Sequence, residues 1–215
     1  MRTVAILMIT GAVLANVAFV GLGAAFEYPD ILQSPTEHIM QSFQAREAEI
    51  VFWFGMLALS AALLAPIAIG VGRLGRGGLM RIAVSIGIAA ALVQVIGLSR
   101  WLLFVPSVVE GGDVATFELL HRILGVLIGE TLGYLFTGLW TIMSLASIGV
   151  LTARWFRWLG YLASVLIISG VLMPLDVPGV DFANFVGYVL WSAWLIVFGV
   201  ILWRIDSPRL PNLAS

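Results

Sequence analysis

The chain has 215 residues, of which 61% are hydrophobic and 11% are charged, and its formal net charge is −1. Soluble domains carry about 25% charged residues, so this composition excludes an ordinary soluble protein and indicates a polytopic membrane protein. Because cysteine is absent, disulfides, thiolate catalysis, iron–sulfur clusters and cysteine-ligated zinc are excluded as well.

Six apolar runs are long enough to cross a bilayer as helices, which need about 20 residues each. They predict an all-α fold, a bundle of six transmembrane helices that forms a single domain over residues 1–215. The first run resembles a signal peptide, but it is longer than the usual apolar stretch of about 7–15 residues, so we expect a retained first span. The predicted spans cover about 3–26, 50–72, 79–104, 119–151, 158–174 and 183–204.

The longest connection between spans, Glu27–Glu49, contains a predicted surface helix over about 35–45. Ser34 and Glu37 have the spacing of a capping box, in which each side chain bonds a backbone amide at the helix start. We expect an amphipathic helix that lies nearly parallel to the membrane over the outer mouth of the bundle. Its apolar residues at helical spacing are Ile39, Met40 and Phe43.

Charged residues separate between the two ends of the predicted bundle. The first, third and fifth connections are acidic and contain one arginine, Arg46; the third, over 105–116, carries Glu110 and Asp113. Basic connections stay in the cytoplasm, so the sequence predicts that both termini are cytoplasmic. The arginines of the basic end are Arg2, Arg73, Arg76, Arg81, Arg154, Arg157, Arg204 and Arg209.

Tryptophans near both predicted interfaces indicate an aromatic belt of the kind that anchors membrane helices at the headgroup level. Trp53 and Trp101 are assigned to the outer interface, and a second group is assigned to the inner one. Trp191 and Trp194 lie nearer the middle of the last span, where packing inside the bundle is predicted. The inner group consists of Trp155, Trp158 and Trp203.

Two charged side chains lie inside predicted spans, where a charge is costly unless it is paired or faces water. Arg100 belongs to the third span and Glu130 to the fourth. At 1.5 Å per residue, both lie roughly 7–10 Å below the outer interface, and this matched depth predicts an intramembrane salt bridge. Three readings stay open: a structural pair, a ligand or proton site that opens to the outer face, and catalysis with Glu130 as acid or base.

The fourth span carries two patterned faces. Three glycines recur at every fourth residue, and small residues at that spacing let a neighbouring helix approach closely. A polar stripe on a second face must point to protein or water rather than lipid. The glycines are Gly125, Gly129 and Gly133, and the stripe consists of Arg122, Glu130, Tyr134, Thr137 and Thr141.

Candidate ligand-binding residues cluster at the outer ends of the third and fourth spans. No catalytic residue and no metal ligand is assigned, because the sequence holds no nucleophile–base set and no metal-ligand cluster. A metal or haem site formed by His38 and His121 is a less favoured alternative, and the cofactor stays unknown. The candidate residues are Arg100, Arg122, Glu130, Tyr134 and His121.

Three sequence words give a family resemblance: YPDIL at Tyr28–Leu32, GLSRW at Gly97–Trp101 and HRILGVLIGETLGYLFTGLW at His121–Trp140. With them the chain resembles a bacterial family of six-span integral membrane proteins, domain-of-unknown-function family 4386. The resemblance implies the six-span fold and a bacterial inner (cytoplasmic) membrane. It implies no activity and no catalytic residues.

A non-enzymatic function is favoured, in which the bundle binds a small ligand, a lipid or a partner helix near the outer Arg100 and Glu130. One alternative is an accessory or structural subunit of a larger membrane complex. Another is a small membrane enzyme or proton-coupled carrier that uses Glu130. The expected partners are membrane lipids, other membrane subunits or a second copy of the chain, and nucleic acid is not expected.

Overall fold

The computed structural model describes residues 1–149 and 152–205. The end of the predicted fourth span, 150–151, and the polar tail with Asp206 and Arg209 lie outside the described residues. Within the described ranges the chain is helical and contains no strand. Six helical stretches there are long and apolar enough to cross a membrane. The prediction of an all-α bundle of six transmembrane helices is confirmed.

Nine α-helices form the described chain, and three of the six spans are built from more than one helix. A π-helix, His121–Leu132, joins two α-helices of the fourth span, and 3₁₀ turns occupy Asp30–Gln33 and Gly170–Leu175. The α-helices are α1 Arg2–Phe26, α2 Thr36–Ala45, α3 Glu47–Val71, α4 Gly78–Leu103, α5 Val105–Glu110, α6 Val114–Leu120, α7 Gly133–Ile148, α8 Arg154–Ser169 and α9 Val180–Ile205.

The six spans close into a ring. Each span packs on the next one in the chain in antiparallel fashion, and α9 returns to pack on α1. Met1 and Ile205 therefore lie at the same end of the bundle, called the terminal end here, and the opposite end is the distal end. The distal end is the one that the arginine distribution predicts to face outward.

Two apolar cores fill the ring, one at each end. The terminal core is built around Trp140 and Trp194, which are both fully buried, with Phe156 stacked on Trp194 at 5.4 Å between ring centroids. The distal core is built around Trp101, whose ring stacks on Phe54 at 4.6 Å. Trp101 is 1% exposed, so its prediction as an interface anchor is wrong, whereas packing of Trp194 inside the bundle is confirmed.

The predicted surface helix is present as α2. Its apolar residues Ile39, Met40 and Phe43 are buried in the distal core, as the helical spacing predicts. The predicted capping box is not formed, because Pro35 occupies the N-cap position and makes no side-chain cap bond. Packing of its apolar face, rather than capping, holds α2 against the bundle.

The third connection, over 105–116, is mostly helical. It forms α5 and the start of α6, with Gly111 and Gly112 between the two helices. Asp113 caps α6: the backbone amide of Thr116 donates to its carboxylate at 3.0 Å and the Thr116 hydroxyl donates at 2.6 Å. These hydrogen bonds hold the pKa of the exposed Asp113 carboxyl below its ordinary value. The added helices thicken the distal end and cover Trp101.

Candidate functional site

Polar side chains gather in one layer between the two apolar cores. On α4 the terminal core ends at Ala91 and the distal core begins at Trp101, and Gln94 and Arg100 lie between them. The first, second and fourth spans follow the same order. The layer also contains Asn16, Glu130, Tyr134, Thr137, Thr141, Asn184 and Tyr188.

Glycines bring the fourth span against α4 at this layer. A Cβ atom added at Gly97 would overlap the Gly129 backbone, so the two main chains touch. A Cβ added at Gly125 would lie 2.7 Å from Nη2 of Arg100, and one at Gly133 would lie 2.9 Å from Cγ of Gln94. The predicted close approach along the glycine face is confirmed, and it places the Arg100 guanidinium beside the fourth span.

The fourth span changes its helical repeat where it passes Arg100. His121–Leu132 is π-helical, with more residues in each turn than an α-helix has. Residues of this segment that are three or four positions apart therefore no longer lie on the same face of the helix. Thr137 and Thr141 are fully buried, but Arg122 is exposed, so the predicted polar stripe is wrong for Arg122. π-helical turns occur frequently at functional sites.

Arg100 is the most deeply buried charged residue of the layer, with 4% of its surface exposed. Its Nη1 donates to the carbonyl of Gly97, one turn earlier on α4, at 2.8 Å. Its Cζ lies 5.1 Å from the centroid of the Trp101 ring, within the range of a cation–π contact. A guanidinium has five N–H donors, and within the described chain Gly97 is the one hydrogen-bond acceptor that Arg100 reaches.

Glu130 is half-buried on the π-helix and has no hydrogen-bond partner among the described residues. Its charge acts on Arg100 and on the phenols of Tyr28 and Tyr134. The predicted salt bridge is not confirmed, because the side chains of Arg100 and Glu130 interact without direct contact. Two opposite charges thus share one layer, and each keeps unused hydrogen-bonding capacity.

Tyr28 extends the site from the first connection. It follows α1, is half-buried, and interacts with both Glu130 and Arg100. Burial raises the pKa of the Tyr28 phenol well above its ordinary value; the charge of Glu130 raises it further, and Arg100 lowers it. The phenol therefore stays protonated at neutral pH and offers an O–H donor. Sequence reasoning missed Tyr28 as a site residue, although it opens the first of the three family words.

Tyr134 packs on the last two spans. Its ring lies 5.8 Å from that of Tyr188, edge to face. A Cβ added at Gly170 would lie 2.6 Å from Cδ2 of Tyr134 and would also meet the amide of Asn184, so Gly170 makes room for both side chains. The Asn184 amide donates to the Ile167 carbonyl at 2.8 Å and ties α9 to α8.

Interhelical hydrogen bonds close the layer on its terminal side. The Gln94 amide donates to the Thr137 hydroxyl at 3.0 Å and joins α4 to α7. The Trp191 indole donates to the Thr141 hydroxyl at 2.8 Å. Asn16 donates to the Ala12 carbonyl of its own helix at 2.7 Å. Partnered neutral groups thus lie toward the terminal core, and the charged groups lie on the distal side.

A groove of about 450 Å³ opens at the distal end beside the charged groups. It runs between the first connection and the start of the fourth span, where the Thr36 hydroxyl donates to the Glu118 carboxylate at 3.0 Å. His121 lines this distal groove, interacts electrostatically with Arg100, and has a buried Nδ1 atom without a hydrogen-bond partner. Its lining consists of Leu32, Ser34, Thr36, Ile39, Ala115, Phe117, Glu118, Leu119, His121 and Arg122.

The structure thus brings Arg100, Glu130, Tyr134 and His121 together and places Arg122 on the distal groove instead. Within the described residues no group of three or more His, Asp or Glu side chains is placed to hold a metal ion. His38 lies on α2 and is not part of the groove lining. The arrangement offers a buried cation, a carboxylate and protonated phenols to a polar molecule.

The fold and this site define the class of the protein: a six-helix integral membrane protein with charged groups buried in the distal half of its bundle. A family model described as "Domain of unknown function (DUF4386)" matches residues 3–199, and the chain belongs to this family. The family resemblance seen in the sequence words is thereby confirmed. No curated protein and no solved structure matches the chain.

Proposed function

We propose that this protein lies in the bacterial inner membrane and binds a small polar ligand or a lipid headgroup in the polar layer around Arg100 and Glu130. The observation that carries the proposal is the unused hydrogen-bonding capacity of Arg100: the residue is 4% exposed, yet within the described chain its guanidinium donates to one backbone carbonyl and does not touch Glu130. A buried charge whose hydrogen-bond donors are mostly unpaired is costly. A ligand that bonds both charges offsets that cost.

The chemistry of the residues defines the class of ligand. The planar guanidinium of Arg100 suits a carboxylate or a phosphate, which it can bind through two parallel hydrogen bonds, and it can also donate to a carbonyl oxygen. Glu130 accepts from an ammonium, amide or hydroxyl group. The phenols of Tyr28 and Tyr134 add neutral donors. The ligand therefore carries an acceptor group and a donor group close together, as amino-acid-like molecules and the headgroups of some phospholipids do.

The distal groove supplies the route to this site. His121 lines this groove and interacts electrostatically with Arg100. Arg122 and Glu118 at its rim present both signs of charge to an approaching polar molecule. The Nδ1 atom of His121 is buried and has no hydrogen-bond partner among the described residues, so it is available to bond a ligand that reaches it.

The proposed orientation places the distal groove outside the cell and both termini in the cytoplasm. It rests on the arginines of the terminal end. Because the chain has no cysteine, single-cysteine variants report topology cleanly. Glu110→Cys and Asp176→Cys are expected to react with an impermeant thiol reagent in intact cells, and Arg76→Cys and Arg157→Cys to react only after the cells are opened. Labelling of Arg76→Cys in intact cells would refute the orientation.

Native mass spectrometry of protein purified without added lipid tests the binding proposal. The mass spectrum of wild-type protein is expected to show the added mass of a bound small molecule, which is absent from Arg100→Lys. Lysine keeps the positive charge, but its ammonium group cannot form the bidentate hydrogen bonds of a guanidinium. Arg46→Lys, an equally conservative change at the exposed Arg46–Glu49 pair, is the matched control and should keep the mass. Equal retention of the mass by both variants would exclude Arg100 from the site.

A further inference from the structure

A second groove lies at the terminal end, far from the polar layer. It has a volume of about 520 Å³ and lies where α3 ends and α4 begins. Arg73 and Arg81 line its polar side, and Met80 and Val84 belong to its apolar side. The turn between the helices contains Gly77 with φ of 108°, a left-handed conformation that favours glycine. The complete lining of this terminal groove is Ile69, Gly72, Arg73, Gly75, Gly77, Met80, Arg81 and Val84.

The terminal groove is positively charged, and the described residues form no ion pair with its arginines. Arg73, Arg76 and Arg81 fall within nine residues, and the sequence holds no acidic residue between Glu49 and Glu110. None of the three arginines forms an ion pair with another described residue. The start of α4 has no side-chain cap and no acid in its first turn, so the positive end of the helix dipole adds to the same potential. Charge complementarity therefore favours a negatively charged ligand in this groove.

The apolar side of the terminal groove indicates an amphiphile rather than a free anion. Ile69 is 47% exposed, and Leu79 and Ile82 beside the groove are 44% and 53% exposed. These side chains continue into the apolar outer surfaces of α3 and α4, which face lipid. A molecule with its charge at Arg73 and Arg81 would therefore extend its hydrocarbon along that surface.

We propose that the terminal groove binds the phosphate of an anionic phospholipid, with Arg73 and Arg81 on the phosphate and Ile69 and Val84 on the acyl chains. Basic pockets between membrane helices on the cytoplasmic side bind such headgroups. This site is separate from the polar layer, and the ligand proposed there does not depend on it.

The test is a lipid titration of the delipidated full chain in detergent, read by native mass spectrometry. Phosphatidylglycerol is expected to bind more tightly than phosphatidylcholine. An arginine near an anionic headgroup contributes about 1 kcal/mol, so Arg73→Gln/Arg81→Gln should weaken phosphatidylglycerol binding about thirtyfold. The matched control is Arg154→Gln/Arg204→Gln, which removes two exposed arginines from the same end outside the groove and should leave this affinity unchanged.

Several results would overturn the proposal. Equal weakening by both double variants would mean diffuse attraction to the basic end, and equal binding of both lipids would mean that charge has no role. Displacement of phosphatidylglycerol by inorganic phosphate at equal concentration would assign the groove to the free anion. Thermal unfolding should be unchanged, since Arg73 and Arg81 are exposed. If the double variant unfolds, the same titration is done with each single variant, whose affinity for phosphatidylglycerol is expected to fall about fivefold.

Discussion

Replacement of Arg100 by leucine is expected to lower the free energy of unfolding by about 1–3 kcal/mol, the cost of leaving a buried polar group without its partner and less than the loss from a buried ion pair in direct contact. Arg100 and Glu130 lie in the same polar layer, and their opposite charges attract each other without direct contact. Removal of the guanidinium leaves Glu130 without a compensating charge. It also removes the hydrogen bond to Gly97. Unfolding in mixed micelles measures the loss.

A double-mutant cycle isolates the coupling between the two charges. Glu130→Leu should also destabilise the bundle, and Arg100→Leu/Glu130→Leu should recover much of the loss, because two apolar residues leave no charge unpaired. Arg122→Leu is the control at an exposed arginine of the neighbouring span and should stay within about 0.5 kcal/mol of wild type. Losses that add within about 0.5 kcal/mol would show that Arg100 and Glu130 do not interact.

Gly97→Ala is expected to destabilise the bundle by about 1–3 kcal/mol, the usual cost of overpacking. The new Cβ would overlap the Gly129 backbone and lie 2.8 Å from the carbonyl oxygen of Leu124. Both obstacles are main chain, which cannot rotate away as a side chain can. The substitution must therefore push α4 and the π-helix apart, and it should displace Arg100, one turn further along α4, and weaken ligand binding too.

Gly55→Ala is the matched control for this prediction. Gly55 also lies in the interior of a membrane-spanning helix, but a Cβ there would meet Cδ2 of Leu102 at 3.6 Å, an ordinary contact. The higher helix propensity of alanine, about 1 kcal/mol above glycine, should leave Gly55→Ala as stable as wild type or slightly more stable. Equal stability of Gly97→Ala and Gly55→Ala in the same unfolding assay would contradict the close packing at Gly97.

The spans and α2 could be predicted because their physical causes are local. A chain in lipid must satisfy its backbone polar groups within each segment, so a long apolar run specifies a helix. The spacing of Ile39, Met40 and Phe43 specifies the buried face of α2 in the same way. The small residues at Gly125 and Gly129 likewise predict a close helix contact before the neighbour is known.

The predictions that failed depend on tertiary contacts. The helices of the third connection were missed because Pro106 and Gly111–Gly112 are typical of loops; here Pro106 lies in the first turn of α5, where proline is tolerated. Trp101 is buried because α2, α5 and α6 cover the distal end, which hydropathy does not report. Arg122 lies off the polar stripe because a π-helix has more residues in each turn than an α-helix. The sequence did not predict this, because a π-helix has no distinctive pattern of apolar residues.

The candidate site could be predicted in part. Arg100 and Glu130 are visible in the sequence because a charge in an apolar run stands out. Tyr28 lies outside the spans, and its place beside these charges follows from the turn after α1. Asn184 and Tyr188 lie inside the last apolar run, so their polarity was a usable signal. Their position in the polar layer depends on the packing of α9 against α8 and α1, which the sequence pattern does not specify.

A high-resolution density map of wild-type protein purified from native membranes tests the ligand site most directly. We expect non-protein density within hydrogen-bonding distance of the Arg100 guanidinium that also reaches the Glu130 carboxylate and lies beside Tyr28. The density should be absent from a map of Arg100→Lys prepared in the same way. A wild-type map in which the space between Arg100 and Glu130 holds ordered water alone, or in which the two side chains form a direct salt bridge, would contradict the proposed ligand site.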